Sequence, residues 1–322
     1  MVSRYFTRAL GASLCALAIA AAATPATAAA RPVPVVRTPA GGYDELMAPS
    51  SMGPIKVQVQ WAKRGGGAAL YLLDGMRARD DRNAWSFETD AQRLFADDDV
   101  TLVMPVGGQS SFYTDWTAPS NTNGQKFTYR WETFLTKELP DFLANYGVSR
   151  TNNAIVGLSM GGSAALALAA YHRDQFTFAG SFSGALDLSG PGMHEAIRVA
   201  MLDAGRYNAD ALAPPWSPKW LRMDPIVFAP QLRGLSMYIS AGSALPGPYD
   251  HPDSAHAVFD TVDAMGIEAL CMVTTHMFRM RLERLGIPAQ YDFPATGTHG
   301  WKYWEAELTK ARPQILATLG AA

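Results

Sequence analysis

The pentapeptide Gly157-Leu158-Ser159-Met160-Gly161 constrains this chain more than any other feature, because of what flanks it. Before it, Asn153 to Leu158 is a short, almost continuous apolar run, the pattern of a strand buried on both faces. After it, Met160 to His172 is rich in Ala and Leu and reads as a helix. A G-x-S-x-G sequence squeezed between strand and helix forces the serine backbone into a strained turn, and the glycines let neighbouring chains approach. The hydroxyl then projects from the carboxyl edge of the sheet, where open α/β sheets bind ligands. The helix N-terminus behind it offers N–H groups and partial positive charge to a developing oxyanion. Ser159 is therefore read as a nucleophile. The competing reading is a helix N-cap serine followed by small packing residues.

The remaining chain alternates in the same way. Strands are expected at Ile55 to Trp61 (as an exposed edge), Ala68 to Leu73, Val100 to Val106, Phe176 to Ser183, Leu235 to Ser240 and Gln290 to Phe293. Helices are expected at Asn83 to Phe95, Tyr129 to Tyr146 with Pro140 kinking or splitting it, one or two across Asp253 to Gly286, and Trp301 to Leu319. Gly184 to Pro230 is looser. Strands separated by helices imply an α/β fold, a mainly parallel sheet with right-handed crossovers and helices on both sides, in a single domain.

In the α/β-hydrolase arrangement the order is Ser, then Asp or Glu, then His. His299, in Gly297-Thr298-His299-Gly300-Trp301, follows the last strand and opens the last helix, where that fold delivers its base. His172 ends the nucleophile helix and reads as structural. The acid is open by pattern: Asp250 and Asp253 follow the strand at Leu235 to Ser240, whereas Glu268 lies further on. Spacing leans towards the two aspartates. The oxyanion donors are read as the backbone N–H groups of Met160 and of Met76, the latter in the turn Asp74-Gly75-Met76-Arg77.

Composition limits the alternatives. Of 322 residues, 48% are hydrophobic and 17% charged, ample for a large core, and the formal charge of −2 lacks the basic footprint of a nucleic-acid binder. No metal-ligand spacing appears, and neither metal nor cofactor is expected. Arg4 and Arg8, the apolar Ala9 to Ala23 and the small residues Ala26 to Ala30 read as a secretory signal at 1–30, leaving 31–322 as the catalytic domain. Cys15 falls in that leader. Cys271 then has no internal disulfide partner and reads as a buried small hydrophobe.

The segments YLLDGMRARDDRNAW (Tyr71 to Trp85), VMPVGGQSSFYTDW (Val103 to Trp116), WETFLTKELP (Trp131 to Pro140), GLSMGGSAALALAAYH (Gly157 to His172) and FPATGTHGWKYW (Phe293 to Trp304) resemble the antigen 85 family of mycolyltransferases, over almost the whole mature chain. The resemblance implies a secreted, cell-envelope acyltransferase with a triad of Ser159, Glu268 and His299, so Glu268 displaces the aspartates. It also implies an oxyanion hole from Met76 and Met160, and sugar contacts from Asp74, Arg77 and Trp301. The implied partners are trehalose mycolates and cell-wall glycan acceptors, with an association with the outer lipid layer. The chain departs from the family at Gly161, commonly Ala; at Arg79, Gln; at Glu88, usually Asn; and at Ala241, where some members have Cys. The disulfide loop of some members is absent around Ser120 to Gln125. The rival readings are a secreted esterase similar to the esterase D group and a non-catalytic surface binding protein.

Overall fold

A computed structural model describes residues 38–251 and 254–322. The leader expected at 1–30, with Cys15, lies outside the described residues, as does Asp253. The described chain forms one eight-stranded sheet: β1 (Tyr43–Ala48), β2 (Ile55–Gln60), β3 (Ala69–Leu73), β4 (Thr101–Pro105), β5 (Asn153–Leu158), β6 (Phe176–Phe182), β7 (Ser236–Ser240) and β8 (Gln290–Asp292). Their spatial order is β1-β2-β4-β3-β5-β6-β7-β8. The β1–β2 and β2–β4 pairs are antiparallel, and all later pairs are parallel.

The five residues of β3, the five of β4 and the six of β5 are all buried, which explains their unbroken apolar sequences. Side chains still alternate between faces. Tyr71, Ile155, Ala179 and Ile239 belong to one core. Leu70, Leu72, Val156, Phe178 and Tyr238 belong to the other. The first core packs under the helix at 131–143 (α1), α2 (Met160–Tyr171) and the short helices of 209–232. The second packs under α5 (Trp301–Leu319) through Trp304, Leu308, Ile315 and Leu319. In chain order α3 (Met193–Gly205) and α4 (Ala255–Arg284) come between α2 and α5, and they add Ile197, Met201, Phe278 and Leu282 to the first core.

Three expectations change. The exposed edge assigned to Ile55 to Trp61 belongs instead to β1, which pairs along the whole of β2 from Tyr43↔Gln60 to Ala48↔Ile55. The helix expected over Asn83 to Phe95 is a single turn at Ala84–Ser86 and a short helix at Ala91–Leu94. Polar side chains compete for the backbone there: Asn83 Oδ1 accepts the Trp85 N–H at 3.0 Å, and Thr89 Oγ1 accepts that of Ala91 at 3.2 Å. Pro140 does not split α1. The helix accommodates it by widening just upstream, where the Leu139 N–H reaches back five residues to the carbonyl of Phe134. Where one or two helices were expected there is one, Ala255–Arg284, capped by Ser254 Oγ on the Ala257 N–H at 3.1 Å.

Candidate active site

Ser159 directly follows β5 with φ 52° and ψ −124°, a conformation that costs a non-glycine residue energy. The surroundings impose it. A Cβ on Gly157 would lie 2.1 Å from the Gly161 carbonyl oxygen, and a Cβ on Gly161 would lie 2.4 Å from that of Asp74. The strand and helix arms of the turn thus touch backbone to backbone, and the second contact accounts for glycine at 161. The Ser159 carbonyl accepts the Gly162 N–H at 3.0 Å, but its hydroxyl makes no capping bond. The N-cap reading therefore does not describe this serine.

Met160 is the first residue of α2, so its N–H has no partner within the helix and faces forward. The turn bearing Met76 lies against Ser159: a Cβ on Gly75 would stand 3.5 Å from Ser159 Cβ. That turn is held by the Ser110 N–H, which donates to the Met76 carbonyl at 3.0 Å.

His299 follows β8 on the loop that opens α5. Its Nδ1 lies 2.7 Å from Glu268 Oε2. Glu268 comes from the inner face of α4 and is 0% exposed. Its other oxygen accepts from Ser183 Oγ at 2.8 Å and from the Gly242 N–H at 2.5 Å. Ser183 Oγ in turn accepts the Trp304 indole N–H at 3.0 Å, and the Trp304 ring stands edge-on to His299 with centroids 4.9 Å apart. A buried carboxylate with all these donors is fixed in place, as a residue that orients an imidazole must be. With Nδ1 engaged, Nε2 is the nitrogen left to exchange a proton with a nucleophile. Among the described residues no hydrogen bond joins the Ser159 hydroxyl to His299. Such sites often complete that bond only when substrate is seated.

The spacing-based leaning to an aspartate does not match this geometry. Asp250 accepts from Thr298 Oγ1, the Gly247 N–H and the Tyr303 hydroxyl, and not from His299. Ser183, Gly242 and Trp304 were missed in the sequence. The only local signal was Phe182-Ser183-Gly184, a second serine with positive φ (49°) at a strand end.

The expected sugar contacts sit differently from one another. Asp74 is buried, and the Ala84 N–H donates to its oxygens at 3.2 and 3.0 Å. Burial pushes its carboxyl up to about 7, with the N–H groups of Ala84 and Trp85 pulling the other way. Arg77 is exposed and ion-paired with Asp203 of α3. Trp301 stands edge-on to Trp85 and Trp304, with centroids 5.6 and 5.2 Å apart. The departure at Arg79 brings little free charge, since Asp81 accepts from Nε at 2.7 Å and from the guanidinium terminus at 2.8 Å. Cys271 is buried one turn from Glu268, and burial, with the Glu268 charge, pushes its thiol well above the usual range. Such a thiol is inert. Ala241 is buried just past β7. Among the described residues no three of His, Cys, Asp and Glu converge as metal ligands.

The family model described as putative esterase matches residues 49–315. The diacylglycerol acyltransferase/mycolyltransferase Ag85C of Mycobacterium avium is 40% identical over 327 residues, covering 99% of this chain and 88% of the relative. The chain belongs to the antigen 85 mycolyltransferase family. Ag85B of Mycolicibacterium smegmatis, named as the same kind of enzyme, is 42% identical, covering 85% of each chain. Among solved structures, Mycobacterium tuberculosis MPT51 superposes with a TM-score of 0.73 at 33% identity, covering 87% of this chain and all of that one. The antigen 85 fold is thus shared from β1 to α5, and the resemblance seen in the sequence holds along the chain.

Asp74 provides a pH-dependent prediction. Its folded carboxyl, near 7, binds a proton more tightly than in the unfolded chain, at about 4. Its contribution to stability is therefore fully present below about pH 4 and is lost as pH rises through about 7. Asp74→Asn removes that loss, so the variant should gain roughly 5 °C in Tm over wild type at pH 8 and much less at pH 5. Thermal melts at both pH values check this. An equal difference at both would show that Asp74 ionisation does not carry the effect.

Proposed function

We propose that this chain is a serine-dependent mycolyltransferase that moves a mycolic acyl group from trehalose monomycolate to a second trehalose mycolate or to cell-wall arabinan. The observation that carries the reading is the buried Glu268–His299 pair, 2.7 Å apart, on a chain whose Ser159 is held at φ 52°. Ser159 Oγ attacks the ester carbonyl carbon while His299 Nε2 takes its proton. The oxyanion of the tetrahedral intermediate accepts from the N–H groups of Met76 and Met160. The C–O bond to trehalose breaks, His299 returns the proton to the leaving oxygen, and the acyl group remains as an ester of Ser159. An acceptor hydroxyl then loses its proton to His299 and attacks that ester; the acyl C–O bond to Ser159 breaks, and His299 returns the proton to Ser159 Oγ.

Water could complete the same cycle. Transfer needs an acceptor bound beforehand, so that its effective concentration exceeds what bulk water achieves. Arg77 and Trp301 suit that role, offering a guanidinium for hydroxyls and an indole for a sugar face. Asp74, the third expected sugar contact, accepts from the Ala84 N–H.

Export through the leader at 1–30 fits substrates of the cell envelope. Among the described residues no helix is long and apolar enough to cross a membrane. Association with a lipid layer is supported by α4. Its solvent face exposes Phe259 (71%), Val262, Leu270, Val273, Met277 and Met280, a run of 21 steps, or about 32 Å of helix. Large exposed apolar stripes mark interaction surfaces. Serine at Phe259 and Val262 should lower co-sedimentation with phosphatidylcholine vesicles bearing trehalose monomycolate by about tenfold or more. Unchanged binding would remove α4 from that role.

The activity is tested with purified protein and trehalose monomycolate. Dimycolate and free trehalose should form, and Ser159→Ala should abolish both. Free mycolic acid as the sole acyl product would favour the esterase reading. Ligand binding without any turnover would favour the surface binding protein.

A further inference from the structure

The segment Gly297-Thr298-His299-Gly300 has a glycine on either side of the Thr-His pair, with Gly297 at φ +148°. Such a segment has little stiffness of its own. What fixes it comes from α4, where the His299 N–H donates to the Ala264 carbonyl at 3.3 Å, and from the loop 241–250 after β7. The Ala244 N–H donates to the Gly297 carbonyl at 2.9 Å, and the Gly297 N–H to that of Leu245 at 2.7 Å. Ser243 Oγ donates to the Ala295 carbonyl at 2.8 Å. Asp250 closes the arrangement. Thr298 Oγ1 donates to its Oδ1 at 2.6 Å, and the Gly247 N–H and the Tyr303 hydroxyl donate to its Oδ2 at 2.8 and 2.5 Å. Thr298 is the residue before the base, and Tyr303 lies in the first turn of α5 just after it. The rings of Tyr249 and Tyr303 also meet edge-on at 5.1 Å. Burial alone would raise the Asp250 carboxyl, but these three donors outweigh it and hold it below the usual range.

We infer that Asp250 is a positioning residue for the base. Resting on the reading of His299 as that base, it clamps the backbone on both sides of His299 through Thr298 and Tyr303, while Glu268 orients the ring. The imidazole is thereby held at two levels by two carboxylates from different elements. Glu268 fixes one ring nitrogen and the Ala264 carbonyl holds the N–H of His299 itself, which leaves the residues on either side to be tethered. Asp250 supplies those tethers at Thr298 and Tyr303. Displacements of about 1 Å in catalytic groups can lower rates by about 10²-fold, so losing the clamp should slow the chemical step more than binding.

The test uses the full chain and p-nitrophenyl butyrate. Thr298→Val, which removes only the hydroxyl donor, should lower kcat about tenfold or more and leave KM within about twofold. Thr298→Ser, which keeps the donor, should recover most of the rate. In a His299→Ala background Thr298→Val should cause no further loss, because a residue acting through His299 has nothing left to position. A wild-type kcat for Thr298→Val overturns the inference, as do equal losses in the Val and Ser variants or an undiminished penalty without His299. A full rate in His299→Ala alone would instead overturn the assignment of the base. Should Thr298→Val fail to fold, Tyr303→Phe replaces it in the same cycle, with a smaller drop in kcat expected and the same outcomes decisive.

Discussion

Replacing Glu268 by glutamine is expected to lower transfer by about 10³- to 10⁴-fold with the fold intact. Glutamine matches the carboxylate in shape, and its amide oxygen can still accept from Ser183 and Gly242, the two donors on Oε1. Its amide nitrogen then faces Nδ1 of His299, where Oε2 now lies at 2.7 Å. Two donors cannot share a hydrogen. The imidazole must present a bare Nδ1 and carry its proton on Nε2, the wrong nitrogen for accepting a proton from Ser159. The imidazolium formed during the reaction also loses its counter-charge. Steady-state transfer rates and a melting curve check the expectation. An activity within tenfold of wild type would mean that another group orients the base. The matching Asp250→Asn variant should fall far less, because Asp250 reaches His299 only through Thr298 and Tyr303.

Removing the base itself should be at least as costly. His299→Ala is expected to reduce kcat by about 10⁴-fold or more, since the groups of a triad act as a unit. The same reasoning makes the losses non-additive. A Glu268→Gln/His299→Ala double variant should be no slower than His299→Ala alone, because the acid has no imidazole left to orient. Comparing the three variants on one ester checks this. A double variant slower by the product of the two single losses would mean that Glu268 works independently of His299. The residual rate in all three belongs to substrate binding and to the N–H groups of Met76 and Met160, which none of these substitutions touches.

Much of this was legible in the sequence, for identifiable reasons. β3, β4 and β5 are buried on both faces, so their residues had to be apolar throughout and stood out as runs. The elbow was legible because its G-x-S-x-G residues stand between a buried strand and a helix, with Gly157 and Gly161 each closely approached by backbone. His299 was legible from chain order. β1 was not, since Tyr43, Asp44, Glu45 and Met47 are exposed on an edge strand and follow no burial pattern. The segment 83–95 has helical spacing, and only its capping side chains reveal that it is two short turns.

The acid shows where residue patterns alone run out. Spacing from β7 pointed to Asp250 or Asp253, and family resemblance pointed to Glu268. In the structure Glu268 reaches His299 because α4 runs for 30 residues and turns this one inward, in register with Ser183 and Gly242. None of those three partners is near another in sequence, so no local pattern could have joined them. Asp250 turned up one residue from the base rather than on it, which is why spacing alone found the neighbourhood and missed the contact.

The most direct test of the account is to find where the acyl group rests between donor and acceptor. Protein mixed with an excess of trehalose monoester and quenched within the first turnover should gain the mass of one acyl chain, and peptide mapping should place it on Ser159. The same experiment with Ser159→Ala should give no adduct. An acyl group on another residue, or normal turnover with no covalent adduct in any quench, would contradict it.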